Sequence, residues 1–138
     1  MQGWLTDLVR NAVLRTNPYW PFRRCNRIPY HVAIRSVVRS IRRQPAIRSL
    51  YLRHGLADGE WTPALSDIDF TLILKRGLPA EAEFGFLKDF WTRYGRIRRA
   101  FPMLGEVEIL AEDEFGPWLS LSSCLPGVRH WTLLHGEG

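Results

Sequence analysis

Two aspartates, Asp67 and Asp69, stand one residue apart at the head of the apolar run "DIDFTLILK". Side chains in a β-strand alternate between faces, so both carboxylates would point to the same side of a sheet. Two negative charges that close repel, and one stays protonated unless a cation sits between them. A second pair, Glu106 and Glu108 in "GEVEIL", repeats the spacing, with Val107 and Ile109 suited to a core face. If the two strands are neighbours, three carboxylates can meet at one end of the sheet. Hard oxygen donors of this kind suit Mg2+, with Mn2+ as an alternative, completed by waters and substrate phosphates. Two such ions, roughly 3.5–4 Å apart, would align an attacking hydroxyl with a phosphate and stabilise the leaving oxygen.

Each residue also has a simpler structural explanation. Ser66-Asp67 is a frequent turn pair, but a turn does not account for Asp69. Glu106 and Glu108 alone would read as the solvated face of an edge strand; the upstream aspartates raise their interest. His54 reads as a packed or surface histidine. Trp61, Trp91 and Trp118 read as core or interface aromatics, although Trp61 in its loop could stack on a base. Arg53, at the loop entrance, is a candidate phosphate contact.

The elements that must position these residues follow from periodicity. Residues 4–14 are amphipathic and predict a short helix. "TNPYWPFRRCNRIPY" carries three prolines among aromatics and predicts an irregular connection. From His31 to Arg43 apolar residues recur at 34, 37, 38 and 41, the spacing of one helix face, and Pro45 bars continuation. Residues 46–53 and 67–75 predict strands, separated by the glycine-bearing loop "HGLADGEWTPALS". Gly77 and Pro79 end the second strand. Residues 80–100 predict a helix with Phe84, Leu87, Phe90, Trp91, Tyr94 and Ile97 at spacings of three and four. Residues 105–112 predict a third strand, and a short helix starts near Glu112 to Glu114. The tail "LPGVRHWTLLHGEG" carries no clear pattern. The order is that of an α/β chain with two strands close in sequence and a third delivered by a crossover.

The 138 residues are enough for one domain with a real core and short for two. No run approaches the roughly 18 apolar residues of a membrane span. Asp7 interrupts the first apolar stretch, which therefore does not read as a signal peptide. Cys25 and Cys124 lack metal-ligand spacing and read as reduced thiols in a cytoplasmic protein. The net charge of +5 is unevenly spread. Residues 1–53 hold 11 arginines against one acid, Asp7, whereas residues 54–138 hold 8 basic and 13 acidic groups. The basic half could attract phosphate-rich partners or simply form a solvated helix face. It lacks the interleaved aromatic and basic pattern of a single-strand nucleic-acid binder, which leaves that reading unsupported.

A glycine loop, about eleven residues, "SDID" before an apolar strand, and a later carboxylate among apolar residues together resemble the DNA polymerase beta-like nucleotidyltransferase superfamily. The match covers roughly residues 46–112, and "SDIDFTLIL" is its most specific part. The resemblance implies a nucleotidyltransferase-like mixed sheet with helices packed on one face, occupying residues 31–138 after an N-terminal helix and connection at 1–30. It implies Asp67 and Asp69 as metal ligands, Glu108 as third carboxylate and base with Glu106 as the fallback, and two Mg2+ ions. Gly55, Ser66 and Arg53 fall on the nucleotide-binding side. The implied reaction is transfer of a nucleoside monophosphate from a triphosphate such as ATP to an unknown acceptor hydroxyl. The departures lie in the phosphate loop. Where members carry Gly-Ser, this chain has His54 and Gly55, and Asp58 stands near a commonly basic position. A one-residue bulge would bring Gly55 into the first glycine's place, with Leu56 instead of the serine. The chain would then bind triphosphate weakly alone, as a degenerate binding or regulatory subunit or with a second subunit completing the site.

Overall fold

The computed structural model describes residues 2–53, 56–57, 61–121, 128 and 130–137. His54, Gly55, Asp58 and Cys124 lie outside them. In chain order the elements are α1 (Gln2–Thr16), α2 (Phe22–Ile41), β1 (Ile47–Leu52), β2 (Ile68–Leu74), α3 (Ala80–Ala100), β3 (Leu104–Ala111), α4 (Glu112–Leu121) and β4 (Thr132–Gly136). The strands form one mixed sheet in the order β3-β2-β1-β4. β1 pairs antiparallel with β2 and β4, and β2 pairs parallel with β3. The α/β class and the crossover through α3 agree with the sequence pattern.

β2 is the central girder. Ile68, Phe70, Leu72 and Leu74 alternate onto one face and join Leu50 and Leu52 of β1 in the main core. α2 closes this face with Tyr30, Ala33, Val37 and Ile41, and α3 with Phe86, Phe90 and Tyr94. Full burial of a side chain such as Phe70 is worth about 1.5–3 kcal/mol, so this layer holds the sheet rigid. The ends of α3 fit its dipole, with Glu81 and Glu83 in the first turn and Arg98 and Arg99 in the last. Gly77, at φ +73°, makes the left-handed turn that lets β2 lead into α3.

Three expectations are corrected. α2 starts nine residues before His31, at Phe22, and runs through Pro29 and through the expected boundary at residue 30. Tertiary contacts override the local breaker: the Tyr30 hydroxyl donates to the Ser66 carbonyl at 2.9 Å and accepts from the Ala64 N–H at 2.9 Å. The tail supplies a fourth strand, because β4 covers the free edge of β1. The helices also do not form a single layer. Tyr51 pairs with Thr71 on the face away from α2 and α3, and its ring meets Trp131 at 5.9 Å. Trp131 in turn meets Phe115 and Trp118 of α4. α4 thus serves the second face, where an Arg48–Glu112 ion pair ties its first turn to β1.

Candidate active site

Asp69 lies on the second face of β2, half-buried, while Asp67 lies just before the strand and is exposed. Both border Gly105, the second residue of β3. A Cβ on Gly105 would overlap Asp69 Oδ1 and sit 3.1 Å from Asp67 Cβ. A side chain here would displace the Asp69 carboxylate from its present position, so the glycine leaves room for both aspartates against the edge strand. The adjoining Glu106 N–H donates to Asp69 Oδ1 at 2.8 Å, fixing that carboxylate against β3.

Gly105 is itself held. The Tyr94 hydroxyl donates to its carbonyl at 3.0 Å from α3. Burial pushes the Tyr94 phenol up to about 12; the Arg98 charge works against this and the Asp69 charge with it. Tyr30 is likewise raised by burial, against its hydrogen bond from Ala64 and with the help of the Asp67 charge. Two buried tyrosines thus back the aspartate pair, one beneath each carboxylate's end of the loop and strand. Neither role was visible in sequence, where Tyr94 reads as one more apolar-face residue.

The parallel register pairs Phe70 with Val107 and Thr71 with Glu108, which puts Glu106 beside Asp69 and Glu108 one step further on the same face. The two glutamates differ sharply. Glu108 accepts a 2.6 Å charged hydrogen bond from Arg53 Nη1, and these side chains are 28% and 10% exposed. Arg53 continues β1 alongside Asp69, donating its backbone N–H to the Asp69 carbonyl at 2.9 Å, and its guanidinium reaches across to β3. Glu106 is exposed, and its carboxylate has no ion pair among the described residues.

The carboxylates of Asp67 and Asp69 are hard oxygen donors of the type a divalent cation takes. The third ligand is not assembled: among the described residues no three acidic, histidine or cysteine side chains are grouped to hold a metal. Glu108, the expected third ligand, is instead ion-paired with Arg53.

The expected nucleotide-side residues fare unevenly. Gly55 lies outside the described residues. The Ser66 hydroxyl accepts from the Thr62 N–H at 3.1 Å and closes the turn before β2. Arg53 is committed to Glu108. Trp61 lies 4.7 Å from the Tyr30 ring, with the Arg27 guanidinium 5.0 Å over it, so it packs the loop onto α2.

An open groove of about 600 Å³ continues from Gly105 along β3, walled by Trp91, Tyr94 and Arg98 of α3 and by Glu106 and Glu108. No helix among the described residues is long and apolar enough to cross a membrane. No protein-family model matches the chain, and no curated protein matches it. A solved structure of a provisionally assigned nucleotidyltransferase from Sulfolobus solfataricus aligns with 93% of this chain and 84% of its own. Its sequence identity is 16% and its TM-score 0.36, a likeness too distant to assign a family or an activity.

Proposed function

We propose that the chain is a nucleotidyltransferase-like domain that moves a nucleoside monophosphate from a nucleoside triphosphate to an acceptor hydroxyl. One observation carries this reading: two aspartates at the head of a buried strand, seated against a glycine that makes room for them, and open to solvent. Asp67 and Asp69 would hold Mg2+, which when bound neutralises phosphate charge and orients the triphosphate. The acceptor oxygen forms a bond to the α-phosphorus as the bond to the bridging oxygen breaks, and pyrophosphate leaves with that oxygen. The hydroxyl proton goes to a carboxylate, and Glu106 suits this role better than Glu108. It is adjacent to Asp69 and free of an arginine, whereas Glu108 would first have to give up Arg53. Tyr94 and the Glu106 N–H keep the aspartate end of the site in place.

A second reading has its own observation. The Arg53–Glu108 pair supplies from within the protein a cation that a third metal-ligating carboxylate would need. A relative that keeps the fold and has lost the reaction would look like this, and it would act by binding. The test is release of pyrophosphate from a panel of Mg2+-triphosphates incubated with candidate acceptors. Release that is abolished by Asp69→Asn supports the enzyme. Triphosphate binding without any turnover across the panel supports the binding subunit.

A further inference from the structure

The groove between α3 and β3 contains features that the aspartate site does not use. Trp91 is 47% exposed, yet its ring meets Phe90 and Tyr94 edge to face, at 72° and 87°, with centroids 5.2 and 5.9 Å away. A large aromatic that is fixed by its neighbours and left open to solvent is a preorganised stacking platform, with little ordering left to do on binding. Arg98 follows seven residues later, so it lies on the same side of α3 two turns on. It is exposed, makes no hydrogen bond or ion pair among the described residues, and its charge reaches Tyr94. The opposite wall is β3, a sheet edge lined by the exposed Glu106, whose backbone N–H holds Asp69.

A stacking ring, a free guanidinium and a free carboxylate near a reacting centre define a ligand. It carries a planar ring, a negative group and a hydroxyl, in an arrangement that a single nucleotide satisfies. We infer that this groove is the acceptor subsite and that it takes a nucleotide unit, with the base on Trp91, the phosphate on Arg98 and a sugar hydroxyl at Glu106. The inference rests on the nucleotidyltransferase reading for calling the ligand an acceptor, though not for the binding itself. Glu106 is the only unpaired carboxylate lining the groove among the described residues, so the phosphate belongs at the Arg98 end and the hydroxyl at the Asp69 end.

The test is titration of adenosine monophosphate, adenosine and a short oligoribonucleotide into the protein without divalent ions, followed by NMR of the indole N–H signals. Adenosine monophosphate or the oligonucleotide is expected to bind, and the tighter of the two tells whether the unit is free or a chain terminus. Trp91→Ala should weaken binding roughly fivefold or more, and Trp91→Phe should restore most of it. Arg98→Ala should weaken the phosphate-bearing ligands and leave adenosine unchanged. Absence of binding by all three, or binding indifferent to both Trp91→Ala and Arg98→Ala, overturns the subsite. Asp67→Asn plus Asp69→Asn should leave this metal-free binding intact. Groove binding with no transfer activity would therefore reject the enzyme reading and keep the subsite, and transfer indifferent to Trp91 would do the reverse.

Discussion

The spatial demand at Gly105 can be measured with a double-mutant cycle. Gly105→Ala places a methyl group on top of Asp69 Oδ1 and 3.1 Å from Asp67 Cβ. The carboxylate must swing away and forfeit the 2.8 Å bond from the Glu106 N–H. That bond involves a charged acceptor and is worth about 1.5–3 kcal/mol, and overpacking of this kind typically costs about 1–3 kcal/mol. The two overlap, because the clash is relieved by breaking the bond, so a total of about 1.5–3 kcal/mol is expected. In an Asp69→Ala background neither term remains, and the same methyl should cost under about 1 kcal/mol, the residue of its contact with Asp67 Cβ. Urea unfolding of the four proteins gives the coupling directly. Equal cost of Gly105→Ala in both backgrounds would refute the argument that this glycine exists to admit the Asp69 carboxylate.

Arg53→Met should destabilise by about 1.5–3 kcal/mol, since it strands the partly buried Glu108 carboxylate, whereas Glu108→Gln should cost less because the amide oxygen still accepts. Denaturant midpoints that ranked the two in the opposite order would remove the pair from the account. Tyr94 titrates at about 12 in the fold against 10.0 for a free phenol. A raised folded-state value means that its contribution is complete below pH 10 and is lost as pH rises from there toward 12. Tyr94→Phe should therefore be less stable than the parent near pH 8, by about 0.5–1.5 kcal/mol for the lost bond to Gly105. It should also lose stability less steeply between pH 10 and 11, as followed by denaturation at fixed pH. Parallel pH profiles would contradict the buried position of the phenol.

Much of this architecture was legible because it is written in local periods. The even residues of β2 mark the core face in sequence and in space, and so do Leu87, Phe90, Tyr94 and Ile97 of α3. The expected Phe84 and Trp91 are instead exposed at 71% and 47%, and Phe86 enters the core. What stayed hidden depends on partners distant in the chain. Pro29 argues for a break, and only the Tyr30 hydroxyl bound to the 62–66 turn shows why the helix continues. β4 is a short, half-exposed strand whose existence rests on its ladder to β1. The paired carboxylates were visible as spacing, but that Glu108 belongs to Arg53 and Glu106 to Asp69 follows from register. Nothing local in "MLGEV" states that Gly105 faces a carboxylate; a glycine near the start of a strand was the available hint. Trp91 and Arg98 were hidden for the opposite reason. Their helical spacing is plain, but only the packed ring of Tyr94 reveals that one edge of the core stripe remains open.

The central claim is that Asp67 and Asp69 form a divalent-cation site. Mn2+ titration followed by electron paramagnetic resonance tests it without need of substrate or acceptor, because free and bound Mn2+ give distinct signals. The parent protein is expected to take up Mn2+, with Mg2+ competing for it, and the Asp67→Asn plus Asp69→Asn protein to show none of that uptake while remaining folded. Equal Mn2+ binding by the two proteins would contradict the claim.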